Sequence, residues 1–176
     1  MIGMEERRLS EVYTNISEKD LKYLRIASSL ARNSTCSRRQ FGAIIVKDDR
    51  IVGTGYNGSA RGSINCGRDI PCLKELANEP SNVSYVWCPA VHAEQNAIIN
   101  SNPSDMVGST LYVAPKDAKS GGMPCRYCIR FILNAQIARV VTIDEDGYPT
   151  ELLRKDLLEM DSNDIMRMYE ELSKDE

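Results

Sequence analysis

The chain has 176 residues, 42% of them hydrophobic and 27% charged, the size and make-up of one domain able to bury a core. Its formal net charge of −3 argues against a nucleic-acid partner, which favours a basic face, although Arg38-Arg39 is a local basic pair. There is no apolar run of about eighteen residues, as a membrane span needs, and the N-terminal Met1-Ile2-Gly3-Met4-Glu5-Glu6 has no signal-peptide core, so a cytoplasmic protein with reduced cysteines and no membrane partner is expected.

Leu21, Leu24, Ile26, Ala27, Leu30 and Ala31 form a helical stripe, with Ser17 and Asp20 as its N-terminal cap. Residues 41–46 and 51–56 are apolar runs split by Lys47-Asp48-Asp49-Arg50, which predicts a hairpin. Residues 57–89 carry glycines and prolines without periodicity; so long an irregular segment is expected to be functional or cross-linked. A helix is expected over 93–99, a strand over 110–114, a helix over 125–134 and a strand over 138–143. This alternation predicts an α/β fold, a mixed sheet with helices on both faces and right-handed crossovers. Beyond residue 150, Leu152, Leu153, Leu157, Leu158, Ile165, Met166 and Met168 fit one or two amphipathic helices reaching to about 174, read as packing or oligomer contacts. The whole of 1–176 is expected to be one domain, its core over about 20–143.

The chemistry concentrates in two short motifs. His92, the only histidine, opens His92-Ala93-Glu94, and Pro124-Cys125-Arg126-Tyr127-Cys128 follows. H-x-E followed by P-C-x-x-C is a signature of zinc nucleobase deaminases. One imidazole and two thiolates make a three-ligand catalytic Zn²⁺ site with an open position for water. Zinc lowers the pKa of that water from about 16 to about 7, and Glu94 is placed to move protons as general acid and base. Cys125 and Cys128 share one helix face, Pro124 suits the residue before or at the helix start, and the positive helix end favours thiolate. A thioredoxin-like disulfide is the alternative, but it leaves His92 and Glu94 without a task.

Further pieces extend the match: Ser34-Thr35-Cys36-Ser37-Arg38, Phe41-Gly42-Ala43-Ile44-Ile45-Val46, Gly53-Thr54-Gly55-Tyr56-Asn57-Gly58, Asn65-Cys66 and Thr110-Leu111-Tyr112-Val113. With them the chain resembles the deoxycytidylate (dCMP) deaminase family of the cytidine deaminase-like superfamily. The resemblance implies a three-layer α/β/α fold around a sheet of about five strands, conversion of dCMP to dUMP, and a homo-oligomer, often a hexamer. It also implies that Asn57 bonds the sugar hydroxyl, Arg38 faces the 5′-phosphate and the Ala93 backbone meets the pyrimidine carbonyl. A guanidinium suits phosphate because it offers paired, charge-assisted hydrogen bonds. The chain departs from the family in a longer segment over 114–123 and in Thr142, where a tyrosine is usual. Both bear on selectivity, so another free nucleoside, base or modified aminated ring stays open as substrate, as does a non-catalytic nucleotide-binding zinc protein. Cys36, Cys66, Cys72 and Cys88 are either four buried thiols or, as in some relatives, ligands of a second, structural Zn²⁺ that closes the irregular segment.

Overall fold

The computed structural model describes residues 15–78, 86–117 and 121–173. Helix α1 (Glu18–Ala31) starts where expected: Asp20 N–H donates to Ser17 Oγ at 3.2 Å and the Ser17 N–H donates back to Asp20 Oδ2 at 2.8 Å, a capping box. Strands β1 (Phe41–Lys47) and β2 (Arg50–Tyr56) form the hairpin, and Asp48 and Asp49 take left-handed φ values of 48° and 63° in its two-residue turn. Strand β3 (Gly58–Ser59), helix α2 (Leu73–Leu76) and strand β4 (Ala90–Val91) follow. The segment expected to be irregular therefore carries a short helix and contributes one strand of a small two-stranded sheet, with Gly58 opposite Val91.

Next come α3 (Ala93–Ile99), the short α4 (Pro103–Met106), β5 (Thr110–Pro115), α5 (Arg126–Asn134), β6 (Arg139–Ile143), β7 (Pro149–Leu153) and α6 (Arg154–Leu172). The main sheet runs β2-β1-β5-β6-β7; only β5 and β6 are parallel. The expected helical extension is corrected at its start. Leu152 and Leu153 lie in β7, which pairs with β6 from Arg139–Leu153 to Ile143–Pro149. Their spacing suits either element, and the free edge of β6 decides it by offering a row of unpaired backbone groups.

Alternation along the strands builds two cores. Ile44, Val46, Tyr112 and Ala114 face α1 and pack on Tyr23, Leu24 and Ala27. Ala43, Ile45, Leu111 and Val113 face the other way, against Ala93 and Ala97 of α3, Cys128, Ile129 and Ile132 of α5, and Leu157 of α6. The result is the expected three-layer α/β/α arrangement. No helix among the described residues is long and apolar enough to cross a membrane.

Candidate zinc centre and its cavity

Both metal motifs sit at helix starts on the same face of the sheet. His92 is the N-cap of α3 and its N–H donates to Gln95 Oε1 at 2.9 Å. Cys125 is the N-cap of α5, so Pro124 lies just outside the helix and Cys128 falls in its first turn. His92 Nδ1 stands 3.5 Å from Cys125 Sγ and 3.4 Å from Cys128 Sγ. The ligand atoms of these three residues all lie within 4.8 Å of one another, and among the described residues they are the group so arranged. One imidazole and two sulfurs converging at this spacing fit a zinc ion with a free fourth position.

The electrostatics are those of a site built for a cation. A hydrogen bond from the Cys128 thiol holds Cys125 down, at about 3, against the effect of burial and with help from His92. The bond to Cys125, with burial, raises Cys128. Its contact with Cys125 raises the His92 imidazole above the ordinary value, against burial and with help from Glu94. Glu94, in the first turn of α3 and 6% exposed, has its carboxyl pushed up by burial, with the His92 charge opposing.

The centre opens into a cavity of about 1260 Å³. Arg38, Asn57 and Ala93 all line it. Ala93 is the first residue of α3, so its N–H belongs to the donors that have no partner within the helix. The Asn57 amide is already engaged on both sides: Oδ1 accepts from the Phe41 N–H and Nδ2 donates to the Arg39 carbonyl, each at 2.8 Å. Asn57 thus shapes the 39–41 backbone, with one lone pair and one N–H left over. Cys36, Cys66, Cys72 and Cys88 reach the same cavity. Burial raises the Cys66 thiol, as do the nearby thiols of Cys72 and Cys88. Cys36 Sγ accepts from the Arg39 N–H at 3.5 Å, and the backbone at Gly67 packs against Ser37, which brings the Cys36 and Cys66 turns together.

Other lining residues carried no sequence signal. Lys74, 6% exposed on α2, is close enough to His92 for its charge to oppose imidazole protonation. Arg126 and Arg167, from α5 and α6, border the cavity too. Arg38, Arg39, Lys74, Arg126 and Arg167 outnumber Glu94, Glu145 and Asp164 in the lining, so the cavity favours an anion although the whole chain is acidic.

Comparison with known proteins agrees with this site. Residues 17–144 match the family model described as the cytidine and deoxycytidylate deaminase zinc-binding region. Deoxycytidylate deaminase of Mycobacterium phage D29 is 37% identical over 137 residues, 75% of this chain and 94% of that protein. The human deoxycytidylate deaminase is 32% identical over 130 residues, 73% of this chain but 66% of that protein. The crystal structure of apo dCMP deaminase from the cyanophage S-TIM5 superposes with a TM-score of 0.51 at 26% identity, covering 71% of this chain and 82% of that one. The molecule is a zinc-dependent deaminase by class. More narrowly, the chain belongs to the cytidine and deoxycytidylate deaminase family.

Proposed function

We infer that the chain hydrolyses dCMP to dUMP and ammonia. The observation that carries this reading is the cationic lining, Arg38 included, of a cavity that also takes in His92 and Cys125 of the candidate zinc cluster and buried Glu94. Deoxycytidylate deaminases among its relatives add support. His92, Cys125 and Cys128 would hold a zinc ion, which when bound would supply a water made acidic enough to act as nucleophile. Glu94 takes a proton from the attacking water and delivers it to ring N3; it then takes the second proton from the new C4 hydroxyl and passes it to the amino group, which leaves as ammonia as the C4 carbonyl forms. The Ala93 N–H donates to the pyrimidine carbonyl, Asn57 meets the sugar hydroxyl with its spare polar capacity, and Arg38 holds the 5′-phosphate. Cys36, Cys66, Cys72 and Cys88 are read as holding a second, structural zinc by likeness to the family; the nearness of Cys72 and Cys88 to Cys66 supports this, although among the described residues the four do not bring their sulfurs to the spacing seen at His92, Cys125 and Cys128. The working enzyme is a cytoplasmic homo-oligomer, a hexamer by likeness to the family.

Ammonia release from cytosine, deoxycytidine, dCMP, dCTP, guanine and adenosine tests the substrate. The expected result is a clear preference for dCMP. Arg38→Ala then lowers kcat/KM on dCMP by about 1.5–3 kcal/mol, the scale of a charged hydrogen bond, and leaves deoxycytidine turnover nearly unchanged. Equal losses on both compounds would remove Arg38 from the phosphate site.

A further inference from the structure

Strands β5 and β6 run side by side only from the Thr110–Arg139 pair to the Tyr112–Val141 pair. Beyond that β5 stays with β1, out to the Phe41–Pro115 pair. The crevice outside the carboxyl ends of parallel strands is where open α/β sheets commonly receive ligands. Here the chain returns to the end of β6. The Gly122 N–H donates to the Ile143 carbonyl at 2.7 Å, and Thr142 Oγ1 donates to the Gly122 carbonyl at 2.8 Å. Thr142 is wholly buried.

The fit leaves no space for side chains. A Cβ at Gly122 would stand 2.6 Å from Thr142 Oγ1, and one at Gly121 would stand 3.0 Å from the Glu145 backbone. Gly121, Gly122 and Met123 line the cavity with Phe41, and two residues after Met123 comes the ligand Cys125. The Phe41 ring lies 3.7 Å from the Cβ position of Gly122, and Asn57 holds the backbone at Phe41 and Arg39. The glycine wall therefore stands next to the Arg38–Phe41 side of the cavity. The bond from Thr142 is not needed to pair β6, because Thr142 already lies opposite Thr150 of β7.

We propose that Thr142 is a positioning residue that fixes the Gly121–Met123 backbone as one wall of the substrate pocket and so sets how closely the sugar–phosphate half of a nucleotide is held. This rests on the nucleotide reading above. Main chain bare of side chains can approach a ligand closely, but only if something holds it still. The Thr142 hydroxyl does so from inside the sheet.

Thr142→Val keeps the shape and removes the donor, whereas Thr142→Ser keeps the donor. Steady-state ammonia release is measured for wild type and both variants well below their melting temperatures, with zinc content and Tm alongside. The expected result is a KM for dCMP raised at least fivefold in Thr142→Val, with kcat and zinc content within twofold of wild type. Thr142→Ser returns KM to within twofold of wild type. A native KM in Thr142→Val overturns the proposal, whether or not Tm falls, and so does a loss confined to kcat or zinc. If wild type ignores dCMP but accepts another amine of the panel, the nucleotide reading has failed separately. The same KM comparison on that amine then decides the role of Thr142, a fivefold rise supporting it and a native value overturning it.

Discussion

A carboxyl group buried like that of Glu94 is expensive to ionise, and nearby opposite charge is what keeps such a group useful. Burial raises the Glu94 carboxyl above the ordinary glutamate range, and a bound zinc ion would be the opposing charge in the working enzyme. Glu94→Gln keeps the shape but cannot accept a proton. It should retain zinc and lose turnover by about 10²–10⁴-fold, whereas His92→Ala should lose the catalytic zinc as well. Zinc content and rate measured on both variants separate the two roles, and near-native turnover by Glu94→Gln would remove it from the mechanism. These residues were legible in the chain because metal ligation imposes short, local spacings. Lys74 was not: its burial depends on how α2 lies against the cavity, and no local pattern encodes that.

At the scale of elements, the position of α3 decides where His92 and Glu94 stand. Asn96 Nδ2 donates to the Tyr56 carbonyl and Asn100 Nδ2 to the Thr54 carbonyl, each at 2.8 Å, which ties the helix along β2. A Cβ on Gly55 would come within 2.3 Å of the Ala93 carbonyl oxygen and 2.4 Å of the Ala97 nitrogen. Gly55→Ala must push α3 off the sheet, so a loss of about 2 kcal/mol in stability is expected, together with weaker zinc retention against a chelator. Unchanged chelation kinetics would show that the helix can move without disturbing the site. On the opposite face, Asp20 joins α1 to the sheet: its Oδ1 accepts from Arg139 Nη1 and from the Tyr112 hydroxyl, both at 2.7 Å. Burial alone would raise the Asp20 carboxyl, but the bonds from Arg139, Ser17 and Tyr112 outweigh it and hold it well below the usual range. The stabilisation is complete above the unfolded carboxylate pKa near 4 and fades as pH falls towards the lower folded value. Asp20→Asn should therefore cost about 3 kcal/mol at neutral pH and progressively less in acid, as denaturant melts at several pH values would reveal. A pH-independent loss would mean that the charge is not what matters. The first helix, the hairpin and both metal helices were readable from period and caps, while β7 was not, because its leucines suit either element and only the edge of β6 selects a strand.

For the whole molecule, the irregular segment is where sequence reading ended and three-dimensional proximity began. If its four cysteines hold a metal, elemental analysis of fully metallated protein gives more than one zinc per chain. Cys72→Ser then lowers zinc content and Tm more than it lowers the rate per catalytic zinc. A count of one zinc would refute the second site. The order of strands in the sheet has a separate consequence, for the making of the molecule. Strand β1 lies between β2 and β5, and its residues from Gly42 to Val46 are buried. Its partner β5 leaves the ribosome about sixty residues later, a wait of roughly 3–12 s at ordinary rates of synthesis. Through that interval the nascent hairpin offers an apolar edge with open hydrogen-bonding groups to any neighbouring chain. Slower elongation or crowded polysomes lengthen that exposure, so the yield of soluble enzyme depends on translation speed and chaperone supply even where the finished fold is stable.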